Sequence, residues 1–185
     1  HPLRIEVVLM AAFTVIDHTE LSGTASSYDV TSISASYDHL YLVVSARTDR
    51  AATYTDEHWL TINGDTASNY SSTALYAGTS TPGSNRNAGA VKIENLIVAG
   101  ASVSADNFSG MELWIPNYAG TTGYKQVLAK CVMPNDSTTD YRWYVNVTAG
   151  LWDSTVAINQ ITLTPKNGDD YIQYSTFTLY GVTGA

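Results

Sequence analysis

Apolar residues recur in this chain at every second position, in short runs that end in turn-forming residues. Asp38 to Arg47 is the clearest run: Leu40, Leu42, Val44 and Ala46 fall on one side, Tyr41, Val43 and Ser45 on the other. A period of two is the signature of a strand with one buried face, because successive side chains of a strand point to opposite sides. The pattern returns in Glu57 to Asn63, Ala90 to Val98, Phe108 to Ile115, Tyr124 to Met133, Tyr141 to Thr148, Ile158 to Thr164 and Tyr174 to Val182. Between runs stand Asn63-Gly64-Asp65, Pro116-Asn117, Pro134-Asn135-Asp136 and Pro165-Lys166-Asn167-Gly168-Asp169, all strong turn formers. Helix signals are nearly absent. Roughly eight to ten short strands at this spacing predict an all-β chain, an antiparallel β-sandwich of jelly-roll-like type.

Faces follow from the alternation. Met111, Leu113 and Ile115 share one side, and so do Val127, Ala129, Cys131 and Met133, which makes the single cysteine a packed core thiol. Tyr141, Trp143, Val145 and Val147 share a face read as core. Trp59 lies opposite Leu60 and Ile62, and Trp114 opposite Leu113 and Ile115, so both are expected at an outer face or an interface, where Trp is enriched. Two stretches lack the alternation and read as loops: Gly64 to Arg86 and Asn117 to Gly123. Tyr70, Tyr76, Arg86 and Tyr118 are their candidate contacts.

The head of the chain has two readings. Met10-Ala11-Ala12 looks like a translation start, which makes the residues before it an extension. Alternatively Leu3, Ile5, Val7 and Leu9 alternate as a β-arm able to pair with a sheet edge. Residues 1–12 are accordingly read as an extension or arm, and 13–185 as one sandwich domain.

Composition removes function classes. With 9 basic against 17 acidic residues the net charge is −8, and no Lys/Arg cluster exists to hold a phosphate backbone or an anionic bilayer, so neither nucleic acid nor membrane is an expected partner. Charged residues make up only 14%, against the roughly 25% of ordinary domains, and 13 Tyr against 3 Phe leave many hydroxyls to be satisfied by water or a partner. One cysteine excludes a disulfide framework. There is no Gly-x-Ser-x-Gly elbow and no His-Glu-x-x-His, and His1, His18, His39 and His58 have no carboxylate partner that spacing justifies. His39 and His58 are read as polar rings at strand rims. The chain is therefore expected to be no enzyme and to use no cofactor or metal.

Three stretches carry a resemblance. They are Tyr37 to Ala52 (YDHLYLVVSARTDRAA), Leu60 to Tyr70 (LTINGDTASNY), and the pair Ile158 to Pro165 (INQITLTP) with Phe177 to Val182 (FTLYGV). Together they resemble a family of small virion proteins of tailed bacteriophages. The resemblance implies a β-sandwich on the particle exterior, with capsid or other virion proteins as partners, and it supplies no catalytic residues. In the first stretch a core strand runs into Arg47-Thr48-Asp49-Arg50, charges suited to a rim or a neighbour. The expectation is a capsid decoration (cement) protein, a dimer or trimer located in the virion and assembled in the host cytoplasm. Its candidate contacts are Leu3, Ile5, Val7, Leu9, Arg47, Arg50, Trp59 and Trp114. The alternative is a tail- or head-fibre module that binds host surface glycan.

Overall fold

The computed structural model describes residues 12–78, 82–133 and 144–184. The expected arm over Leu3, Ile5, Val7 and Leu9, the Pro134-Asn135-Asp136 turn and the expected core position of Trp143 lie outside them. Twelve strands are present among the described residues: β1 (Phe13–Glu20), β2 (Tyr28–Val30), β3 (His39–Ala46), β4 (Thr55–Ile62), β5 (Tyr70–Ala77), β6 (Pro82–Ala90), β7 (Ile93–Ala99), β8 (Ser109–Pro116), β9 (Lys125–Met133), β10 (Tyr144–Trp152), β11 (Ile161–Pro165) and β12 (Thr176–Val182). They form two antiparallel sheets packed as a sandwich.

The larger sheet has eight strands in the order β1-β12-β3-β8-β9-β10-β5-β6, and the smaller has four in the order β2-β11-β4-β7. The chain crosses repeatedly from one sheet to the other, at β1–β2, β2–β3, β3–β4, β4–β5, β6–β7, β7–β8, β10–β11 and β11–β12. This is jelly-roll connectivity, widened by the β8–β9 hairpin and by the β1–β12 pair. The alternating residues seal the interior: Leu40, Leu42 and Val44 of β3, Leu113 and Ile115 of β8, Ile161 and Leu163 of β11 and Phe177 and Leu179 of β12 are all buried. Tyr28 of β2 stacks on Phe177 with ring centroids 4.5 Å apart, which ties the small sheet to the large one.

Turn chemistry acts where it is expected. Asn63 and Gly64 both adopt left-handed φ, 52° and 64°, and Asp65 N–H donates to the Ile62 carbonyl at 3.0 Å. Asn and Gly are the residues that tolerate that pair of conformations. Cys131 is buried as expected, and burial pushes its thiol up to about 12.

Three expectations are corrected. Gly64 to Arg86 is not one loop, because it contains β5 and most of β6. The inner row of β5 is Tyr70, Ser72, Ala74 and Tyr76, and β6 is a Gly/Asn-rich edge strand, so both lack the aliphatic alternation and are held by their main-chain ladders instead. On β10 the faces are reversed: Val145 and Val147 are exposed, while Asn146 and Thr148 are buried. The inner row is packed by shape and hydrogen bonding, since Gly150 lies against the Ile93 side chain and the Thr148 hydroxyl donates to the Asn95 carbonyl at 2.7 Å. Finally, His58 is no rim residue. It is fully buried in mid-strand, its Nδ1 is 2.6 Å from the Tyr171 hydroxyl, and its Nε2 has no partner among the described residues.

Burial holds the His58 imidazole neutral, lowering it from 6.5 to about 3. The unfolded chain therefore takes up a proton that the folded chain resists. Stability is complete above about pH 6.5 and is lost as the pH falls through that window, by up to about 1.4 kcal/mol per pH unit. Asp56, whose carboxyl is raised by burial, opposes this trend at the acid end, so the imidazole must be isolated by difference. In urea titrations between about pH 7 and about pH 4, wild type should lose stability relative to His58→Gln as the pH drops. A pH-independent difference would contradict the assignment.

Candidate functional site

The small sheet covers one side of the large sheet and leaves the other side open. Antiparallel register aligns the open face in cross-strand rows, which can be read residue by residue. One row runs Ser45, Gly110, Val132, Val145, Ala77 and Pro82 across β3, β8, β9, β10, β5 and β6. The next runs Val43, Glu112, Lys130, Val147, Leu75 and Ser84. Val43, Leu75, Val132, Val145 and Val147, with Leu128 beside them, are between 38% and 64% exposed. Lone exposed aliphatics are ordinary, but a contiguous set on a flat sheet face marks a contact surface.

The other half of the same face is concave and different in chemistry. Its central row runs Tyr180, Tyr41, Trp114, Leu128, Ala149, Thr73 and Arg86. Below it, Gln126, Leu151 and Ser71 form a second row. Large side chains at the ends and small ones in the middle leave a groove of about 570 Å³, walled by Trp114 and Arg86 and floored by Thr73, Leu128 and Ala149. Trp114 is braced from behind by His39, with ring centroids 5.0 Å apart, and by Tyr41 at 6.1 Å. Arg86 is exposed and has no acid partner among the described residues.

The residues singled out from sequence divide sharply. Trp114 and Arg86 are brought to opposite walls of one groove. Trp59 is on the outer face of the small sheet as expected, but Lys92 Nζ sits 3.0 Å above its ring and covers it. Tyr76 packs its ring over Gly83 of the edge strand. Tyr70 and Tyr118, expected as loop contacts, are buried plugs: Ile62 N–H donates to the Tyr70 hydroxyl at 3.0 Å, and the Tyr118 hydroxyl donates to the Ser34 carbonyl. Burial pushes Tyr70 up to about 12 and raises Tyr118 as well.

Arg47 is buried too. Its guanidinium donates to the carbonyls of Ser104 at 2.7 Å, Val103 at 2.9 Å and Ala101 at 3.0 Å, which fixes the turn after β7. Arg50 donates to the buried Asp56 carboxylate at 2.9 Å. Both arginines thus brace the fold, Arg47 from a buried position and Arg50 from a partly exposed one. The aliphatic half-face was not singled out from sequence. The signal that reveals it is that β9 and β10 carry aliphatic residues on their outer rows, as strands contacted on both sides do.

No protein-family model matches the chain, and neither a curated protein nor a solved structure matches it. Among the described residues no group of three or more His, Cys, Asp or Glu could hold a metal ion, and no helix is long and apolar enough to cross a membrane.

Arg47 and Trp114 should therefore answer substitution differently. Arg47→Met removes a buried guanidinium that holds three carbonyls and should cost about 3 kcal/mol of unfolding free energy. Trp114→Ala, on an open face, should cost about 1 kcal/mol or less. Chemical denaturation of both variants measures this, and equal losses would contradict the division of roles.

Proposed function

We propose that this chain is a non-catalytic structural module on the exterior of a tailed-phage particle, a decoration protein that acts by surface contact. The observation that carries the reading is the aliphatic half-face of the eight-stranded sheet. The resemblance of Tyr37 to Ala52, Leu60 to Tyr70 and the closing hairpin to phage virion proteins points the same way. The proposed occupant of the half-face is a second copy of the chain.

Charge supports that choice. Two chains of net charge −8 repel one another over most approaches. The aliphatic half-face is an exception, because its two charged side chains, Glu112 and Lys130, are opposite in sign and lie across from each other on β8 and β9. A two-fold axis through this half-face would set Glu112 of one copy near Lys130 of the other while the valines and Leu75 pack between them. That is the self-complementarity an isologous interface requires.

In sedimentation velocity the chain should run as an oligomer, and Val145→Asp with Val147→Asp should run as a folded monomer. A wild type that stays monomeric at tens of micromolar, or a variant that still oligomerises, would contradict the interface. The particle assignment is checked by mass spectrometry of purified virions, which should contain the chain in many copies.

A further inference from the structure

We infer that the groove between Trp114 and Arg86 binds a carboxylate-bearing oligosaccharide. The inference is independent of the proposed decoration role, since it rests on the other half of the face.

The lining states what the ligand must be. Trp114 is held upright by His39 and Tyr41 and presents its remaining ring surface to the groove. A rigid, braced ring provides contact area at little entropic cost and suits a flat, weakly apolar face such as that of a sugar ring. Ser71, Thr73 and Gln126 add two hydroxyls and an amide, groups that both donate and accept, which is what a polyhydroxylated ligand requires and a hydrocarbon cannot use. Arg86 closes the far end with a planar guanidinium free of any acid partner among the described residues. Its fork fits a carboxylate in a bidentate pair.

Dimensions agree. Trp114 and Arg86 stand on β8 and β6, four strand spacings apart, or about 19 Å. That length holds a short run of sugar rings rather than a single one. Competing ligands fit less well. The groove crosses the middle of a sheet whose main-chain groups are already paired, so an extended peptide gains no added strand there. A single cation is too few for a nucleic-acid backbone.

The test uses the full chain on a glycan array that holds uronate- and sialate-bearing oligosaccharides beside neutral ones, followed by tryptophan-fluorescence titration with the best binder and with a non-sugar polycarboxylate, tricarballylate. Saturable binding to acidic glycans is expected, at least tenfold tighter than to their neutral counterparts. Trp114→Ala should abolish it, and Arg86→Gln should weaken it at least tenfold and erase the preference for acid. The Val145→Asp, Val147→Asp variant should bind as wild type does, which separates this site from the proposed interface. Three results would overturn the inference: no acidic glycan binds, tricarballylate binds as tightly as the glycan, or binding survives both groove substitutions.

Discussion

Everything on the open face of this sandwich depends on how β10 meets β7. Gly150 has no side chain, and a Cβ there would come within 2.8 Å of the Ile93 side chain, so the main chain of β10 sits directly against that isoleucine. Two residues away, the Thr148 hydroxyl donates to the Asn95 carbonyl and lies 2.9 Å from the Asn146 amide oxygen, while the Asn146 Nδ2 is buried with no partner among the described residues. A strand has only two faces, so fixing Asn146, Thr148 and Gly150 inward fixes Val145, Val147 and Ala149 outward. The aliphatic patch and the shallow floor of the groove are therefore consequences of the core.

That dependence explains which parts of the fold are legible in the sequence. β3, β8, β9 and β12 bury aliphatic rows and can be read directly from their period of two. β10 cannot, because the obvious aliphatic row is the one facing out. The hydrophobic rule assigns Val145 and Val147 to the core, and the specific fit of Gly150 and the hydrogen bond of Thr148 override it. β5 and β6 escape for a related reason: their inner positions are Ser, Ala, Tyr, Asn and Gly, which carry no periodic signal. His58 differs again, since nothing local distinguishes an imidazole at a rim from one opposite a Tyr that arrives from 113 positions further along the chain.

The candidate site was legible only in fragments. Trp114 and Arg86 each stand out as residue types, yet their pairing across a groove requires the strand order β8-β9-β10-β5-β6, which joins distant segments of the chain. Arg47, Tyr70 and Tyr118 stand out equally well and turn out to be internal struts, because a buried donor meeting several carbonyls looks, in one dimension, like an exposed charge in a loop. Exposure is a three-dimensional property, and short polar stretches do not encode it locally.

In the function proposed for this chain, the open face of the eight-stranded sheet is the working surface and the four-stranded sheet its support. A side-chain-resolution structure of the assembled form, as a solution oligomer or on the particle, tests this most directly. Val132, Val145, Val147 and Leu75 should be buried against a second copy, with the Trp114–Arg86 groove at the margin of the contact. Assembly through the outer face of the four-stranded sheet, with those four side chains left in water, would contradict it.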